Sequence, residues 1–69
     1  MKPFKDILRK KRKKKGLTQK QLSDTIGVSQ NSYSRWETGE TYPNFFNIID
    51  LSKALGCTTD ELLLGRDST

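Results

Sequence analysis

Histidine is absent from the sequence, and cysteine occurs once, at Cys57. The first absence removes the usual general base and a common zinc ligand, and the second excludes an internal disulfide. No apolar run approaches the roughly 20 residues that a membrane-spanning helix needs, and the basic N-terminus lacks the apolar core of a secretory signal. A soluble, cytoplasmic chain with no membrane partner is therefore expected. Acids are few too: the eight Asp and Glu residues are scattered, without metal-ligand spacing. An enzyme such as a nuclease needs a carboxylate or histidine cluster, so no catalytic residue, metal site or cofactor is expected. Cys57 precedes a helix-capping threonine, where a packed thiol is the expectation rather than a reactive one.

Positive charge is what the chain holds in excess, and it is unevenly placed. The net charge is +5, and nine of the 13 Lys and Arg residues lie between Lys2 and Lys15, against one acid there, Asp6. From Thr41 onward the balance is slightly negative. A positive end of this kind attracts a polyanion. Nucleic acid is the first candidate; an anionic membrane would need a broader apolar face opposite the charges than Phe4, Ile7 and Leu8 provide. The plain structural role of Lys13, Lys14 and Lys15 is to favour the negative end of a helix dipole.

With 69 residues, of which 32% are hydrophobic, the chain makes one small domain whose helices must spend their large side chains on a single core. The spacing predicts an all-α, compact five-helix bundle over 3–15, 18–26, 29–38, 44–55 and 58–64. Gly16-Leu17-Thr18, Gly27-Val28-Ser29 and Gly56-Cys57-Thr58 are one punctuation mark used three times: helix stop, hydrophobic staple, cap. Thr18 with Gln21, and Thr58 with Glu61, form capping boxes. In the first helix Phe4, Ile7 and Leu8 make the core stripe. In the fourth, capped by Asn44, the inward face is expected to carry Phe45, Ile48, Ile49, Ser52 and Leu55, with Leu51 flanking it and Phe46 off it. Leu62, Leu63 and Leu64 cannot all face inward, so Leu63 and Leu64 are a candidate self-association patch. The last four residues are expected to fray.

The chain is organised around the stretch from Thr18 to Gly39. Its first helix carries Leu22 and Ile26 on one apolar stripe. Its second turns Tyr33 and Trp36 inward and leaves Gln30, Asn31, Ser32, Ser34 and Arg35 outside. Amides and arginine make bidentate contacts to base edges in the major groove. A solvated helix face has the same composition, and the joint arrangement shifts the balance: capped helix, glycine turn, second capped helix, basic surroundings.

Thr18-Gln19, Leu22, Gly27-Val28-Ser29-Gln30, Trp36-Glu37-x-Gly39 and Pro43, with Leu51, Leu55-Gly56 and Leu62-Leu63-x-Gly65, resemble the phage repressor and Cro-like (Xre-like) family of helix-turn-helix DNA-binding domains over nearly the whole chain. The resemblance implies a lambda-repressor-like fold and a transcriptional regulator, in the first instance a repressor, that lays the 30–38 helix in the major groove of duplex DNA. It implies Gln30, Asn31, Ser32 and Arg35 as base readers, and Ser29 and Gln19 as phosphate contacts or supports for Gln30. Asn44 and Asn47 would hold a second stretch of backbone, and Lys20 would add phosphate attraction. Arg12 would pair with Glu37 as a structural ion pair. A homodimer on a two-fold symmetric operator is the expected assembly, with a further protein partner or a C-terminal effector domain left open. Glu40 departs from the family pattern, where related domains often carry a basic residue, and an acid there repels phosphate. The rival expectation is an antitoxin-like or protein-interaction module with little sequence preference of its own.

Overall fold

The repeated glycine punctuation sets the architecture. The computed structural model describes residues 3–65, and the last four residues lie outside that range. Five helices follow in order: α1 (Phe4–Lys15), α2 (Gln19–Ile26), α3 (Gln30–Thr38), α4 (Phe45–Leu55) and α5 (Thr59–Leu64). Among the described residues there is no strand. At Gly27, with φ at +77°, two backbone bonds close α2: Gly27 N–H donates to Asp24 C=O and Val28 N–H to Ser23 C=O. That paired closure needs a left-handed residue, which glycine reaches without a Cβ penalty. The same pair of bonds closes α1 onto Lys13 and Arg12, and α4 onto Lys53 and Ser52.

The stops at Gly16, Gly27 and Gly56 each lead within two residues into a cap, while the turn after Gly39 runs on to the cap at Asn44. Thr18 and Thr58 accept from Gln21 and Glu61 N–H, and both capping boxes are complete. Ser29 and Asn44 accept from Ser32 and Asn47 N–H. Pro3 stands in the extended conformation at the cap of α1 and makes no side-chain cap bond, so it precedes the first turn rather than lying within it.

The core is shared by all five helices. Leu8, Leu22, Tyr33, Leu51 and Leu62 are fully buried, with Ile7, Trp36, Ile48 and Leu55 nearly so. Phe4 packs half-buried at the edge. The α4 stripe corrects the expectation from spacing. Leu51, expected at the flank, is completely buried, whereas Phe45, expected inside, is 71% exposed. Ile48, Leu51, Ser52 and Leu55 form the i, i+3, i+4, i+7 set that the neighbouring helices cover. Phe45 belongs to the first turn, beyond that cover, and its ring instead meets Phe46 edge-on at 5.7 Å. In α5, Leu62 is buried and Leu63 and Leu64 are partly exposed. No helix of the described residues is long and apolar enough to cross a membrane.

Candidate nucleic-acid interface

The amphipathic split of α3 builds the site. Tyr33, Trp36 and Glu37 are buried, and Tyr33 and Trp36 stack edge to face at 5.7 Å. Their burial turns Gln30, Asn31, Ser32 and Arg35 outward, where all four are exposed.

A buried carboxylate holds this helix to its neighbours. Glu37 is 2% exposed. Arg12 on α1 donates from Nε to Glu37 Oε2 at 2.7 Å and from Nη2 to Oε1 at 3.2 Å. Gln19, the first residue of α2, donates from Nε2 to Oε1 at 3.1 Å, and Tyr33 Oη makes a short bond to Oε2. Arg12 also donates through Nη1 to Leu17 C=O, and Arg9 through Nη2 to Glu37 C=O, both at 2.9 Å. One side chain thus ties α1, α2 and α3 together and fixes the setting of the helix-turn-helix. Burial pushes the Glu37 carboxyl up, but the bonds from Arg12, Tyr33 and Gln19 outweigh it and hold it below the usual carboxylate range. Burial, with the bond to Glu37, pushes the Tyr33 phenol strongly up.

Beside α3 runs a cleft of about 460 Å³ between the helix and the start of α4. Ser29, Ser32, Arg35, Asn44 and Asn47 all line it, so five of the nine residues implicated in DNA contact share one hollow. Gln30 and Asn31 project from the same helix start. Gln19 and Lys20 stand apart on α2. The Gln19 amide nitrogen is engaged with Glu37, which makes its first duty structural, and Lys20 pairs with Asp24 at 3.2 Å. Leu63 joins Phe4, Tyr42, Pro43 and Ile48 around a separate apolar hollow of about 180 Å³; Leu64 is 42% exposed.

Three features escaped the pattern reading. Arg9 bonds the end of α3, Ser23 is fully buried while donating to Lys20 C=O at 3.0 Å, and Arg35 pairs with Glu40 at 3.8 Å. Only the last had a local signal, an acid placed just beyond a helix whose last turn holds an arginine. Cys57 is partly buried, and burial pushes its thiol up. Among the described residues, no group of three His, Cys, Asp or Glu side chains is placed to hold a metal.

Comparison with known proteins places the geometry in context. The family model described as helix-turn-helix matches residues 8–62. The chain is 47% identical over 58 residues to Repressor protein C2 of Salmonella phage P22, covering 84% of this chain and 27% of that protein. It is 41% identical over 64 residues to the HTH-type transcriptional activator BcrR of Enterococcus faecalis, covering 93% and 31%. It thus spans about a third or less of these two relatives' length. A crystal structure of the P22 c2 repressor protein in complex with a synthetic operator superimposes with a TM-score of 0.88 at 41% identity, over 96% of this chain and all of that one.

Proposed function

Because this chain belongs to the phage repressor and Cro-like helix-turn-helix family, with the lambda-repressor-like fold, we propose that it is a sequence-specific duplex-DNA-binding transcriptional regulator, acting in the first instance as a repressor. The observation that carries this reading is the exposed polar face of α3 opposite Tyr33, Trp36 and Glu37, flanked by the Ser29–Asn47 cleft. In the bound state α3 lies in the major groove, with Gln30, Asn31, Ser32 and Arg35 toward base edges. The sugar-phosphate strand follows the cleft past Ser29, Asn44 and Asn47, whose short polar side chains position without reading sequence. Lys20 and the lysines of α1 add salt-sensitive attraction. Gln19 acts mainly through Glu37.

The DNA-bound form is a homodimer on an inverted repeat, with half-sites roughly 34 Å apart. Leu63 and Leu64 are the residues proposed to touch across the two-fold axis. Cytoplasmic location and the lack of catalytic activity belong to the same reading, and the greater length of the relatives leaves room for an effector segment.

Selection of bound duplexes from a random library at near-physiological salt, followed by sequencing, tests this. An enriched inverted repeat supports a dimeric, sequence-reading regulator. Salt-sensitive retention of DNA without enrichment overturns it in favour of a protein-partner module.

A further inference from the structure

Arg35 is the one cation on α3, and Glu40 is built into its surroundings. The end of α3 differs from the glycine closures of α1, α2 and α4. Gly39 and Glu40 N–H both converge on Arg35 C=O at 3.1 Å, and Thr41 N–H approaches it at 3.4 Å. Thr38 Oγ1 donates to the same carbonyl at 3.0 Å. The left-handed turn at Gly39, with φ at +86°, makes this possible, and a Cβ there would meet Lys5 Cδ at 3.1 Å. The backbone of residue 40 is therefore fixed relative to Arg35 before either side chain is placed.

The two side chains meet in one particular way. Glu40 Oε2 lies 3.8 Å from Arg35 Nε, with 58% of the Arg35 side chain and 67% of the Glu40 side chain exposed. The carboxylate approaches the Nε edge of the guanidinium, which leaves the Nη1 and Nη2 tip for the two acceptors of a guanine edge. Arg35 also lines the cleft, so a phosphate strand lying there competes for the same guanidinium.

We propose that Glu40 is a positioning and specificity-determining residue. Its carboxylate attracts the guanidinium from the Nε side, at ion-pair rather than hydrogen-bond distance, which favours the arrangement with the tip toward guanine. Its negative charge disfavours the phosphate contacts that would draw Arg35 into sequence-blind binding. This rests on the DNA-reading function proposed above. On that basis the acid at position 40 trades overall affinity for discrimination.

The test compares wild type, Glu40→Gln, Arg35→Gln and the double variant by fluorescence anisotropy. The probes are the duplex selected by wild type, its single-base-pair variants and a random-sequence duplex, with circular dichroism confirming the fold of each protein. Glu40→Gln is expected to bind random duplex several-fold tighter and to lose roughly tenfold of the discrimination at one G·C pair, the same pair affected by Arg35→Gln. In the Arg35→Gln background, Glu40→Gln still tightens random binding but changes discrimination no further. Equal tightening on every duplex, with discrimination intact, overturns the positioning role and leaves Glu40 as bulk charge. A wild-type protein without sequence preference overturns the parent reading and this one with it, a result distinguishable from the first.

Discussion

Arg12 Nε and Glu37 Oε2 lie 2.7 Å apart although 25 positions separate them in the chain. The contact is shielded, with the Arg12 side chain 12% exposed and that of Glu37 3%. Its importance lies less in Coulomb attraction than in what its loss leaves behind. A buried carboxylate deprived of its nearer cation keeps its desolvation penalty, and Arg9, whose Nε lies 3.7 Å from Glu37 Oε1 on a side chain 45% exposed, makes up only part of the loss.

Arg12→Ala is therefore expected to destabilise the fold by about 3 kcal/mol. Lys13→Ala, one residue on and exposed, is expected to stay within about 0.5 kcal/mol of wild type. Urea melts of the two variants decide the matter, and equal midpoints would refute the structural role of the pair.

The same network sets a pH dependence. Glu37 is held below the usual carboxylate range by Arg12, Tyr33 and Gln19 against the pull of burial, so the folded state binds its proton less readily than the unfolded chain. Its contribution is present above the unfolded value of about 4.3 and is lost as pH falls below it. Tyr33 is shifted the other way, by burial first and then by Glu37; its contribution is present below the unfolded value of about 10 and is lost as pH rises beyond it. Stability measured by thermal melts from pH 2 to 11 should fall at both ends. Glu37→Gln should be less stable at neutral pH and show a flatter acid limb.

Legibility from sequence followed the range of the forces involved. Caps and stops are local, and Thr18, Ser29, Asn44 and Thr58 bond their helices as spacing alone predicts. Burial is not local. Phe45 and Leu51 carry comparable apolar side chains, and periodicity placed Phe45 inside because it cannot tell where neighbouring helices end. The Arg12–Glu37 contact came from family resemblance, since nothing in composition links residues so distant in sequence. The engagement of Gln19 with Glu37 depends on how helix ends are set in space and leaves no local pattern, whereas the Arg35–Glu40 pair leaves a trace in the sequence, an acid just beyond a helix whose last turn holds an arginine.

That inversion in α4 has a direct consequence. Leu51→Ala, at a completely buried position, is expected to cost about 2–5 kcal/mol through lost burial and the cavity left behind. Phe45→Ser, at a ring 71% exposed, is expected to change stability by less than about 0.5 kcal/mol. Denaturant titrations followed by tryptophan fluorescence from Trp36, itself in the core, measure both. A larger loss for Phe45→Ser than for Leu51→Ala would restore the order that periodicity suggests.

Gln30 opens α3 directly after the Ser29 cap, exposed at the end of the helix that enters the groove first in the proposed complex. An amide there can exchange two hydrogen bonds with an adenine edge. Its removal should weaken the preferred site by roughly 1–3 kcal/mol and relax the preference at one base pair. Binding to random duplex should stay unchanged, because phosphate contacts dominate that mode and Gln30 carries no charge. Lys14→Ala makes the contrasting case: one fewer cation should weaken preferred and random duplexes alike and lower the salt slope by about 1. Anisotropy titrations of both variants at two salt concentrations separate reading from attraction. If Gln30→Ala weakened both duplexes equally, the start of α3 would be a phosphate contact, and base reading would pass to Asn31, Ser32 and Arg35.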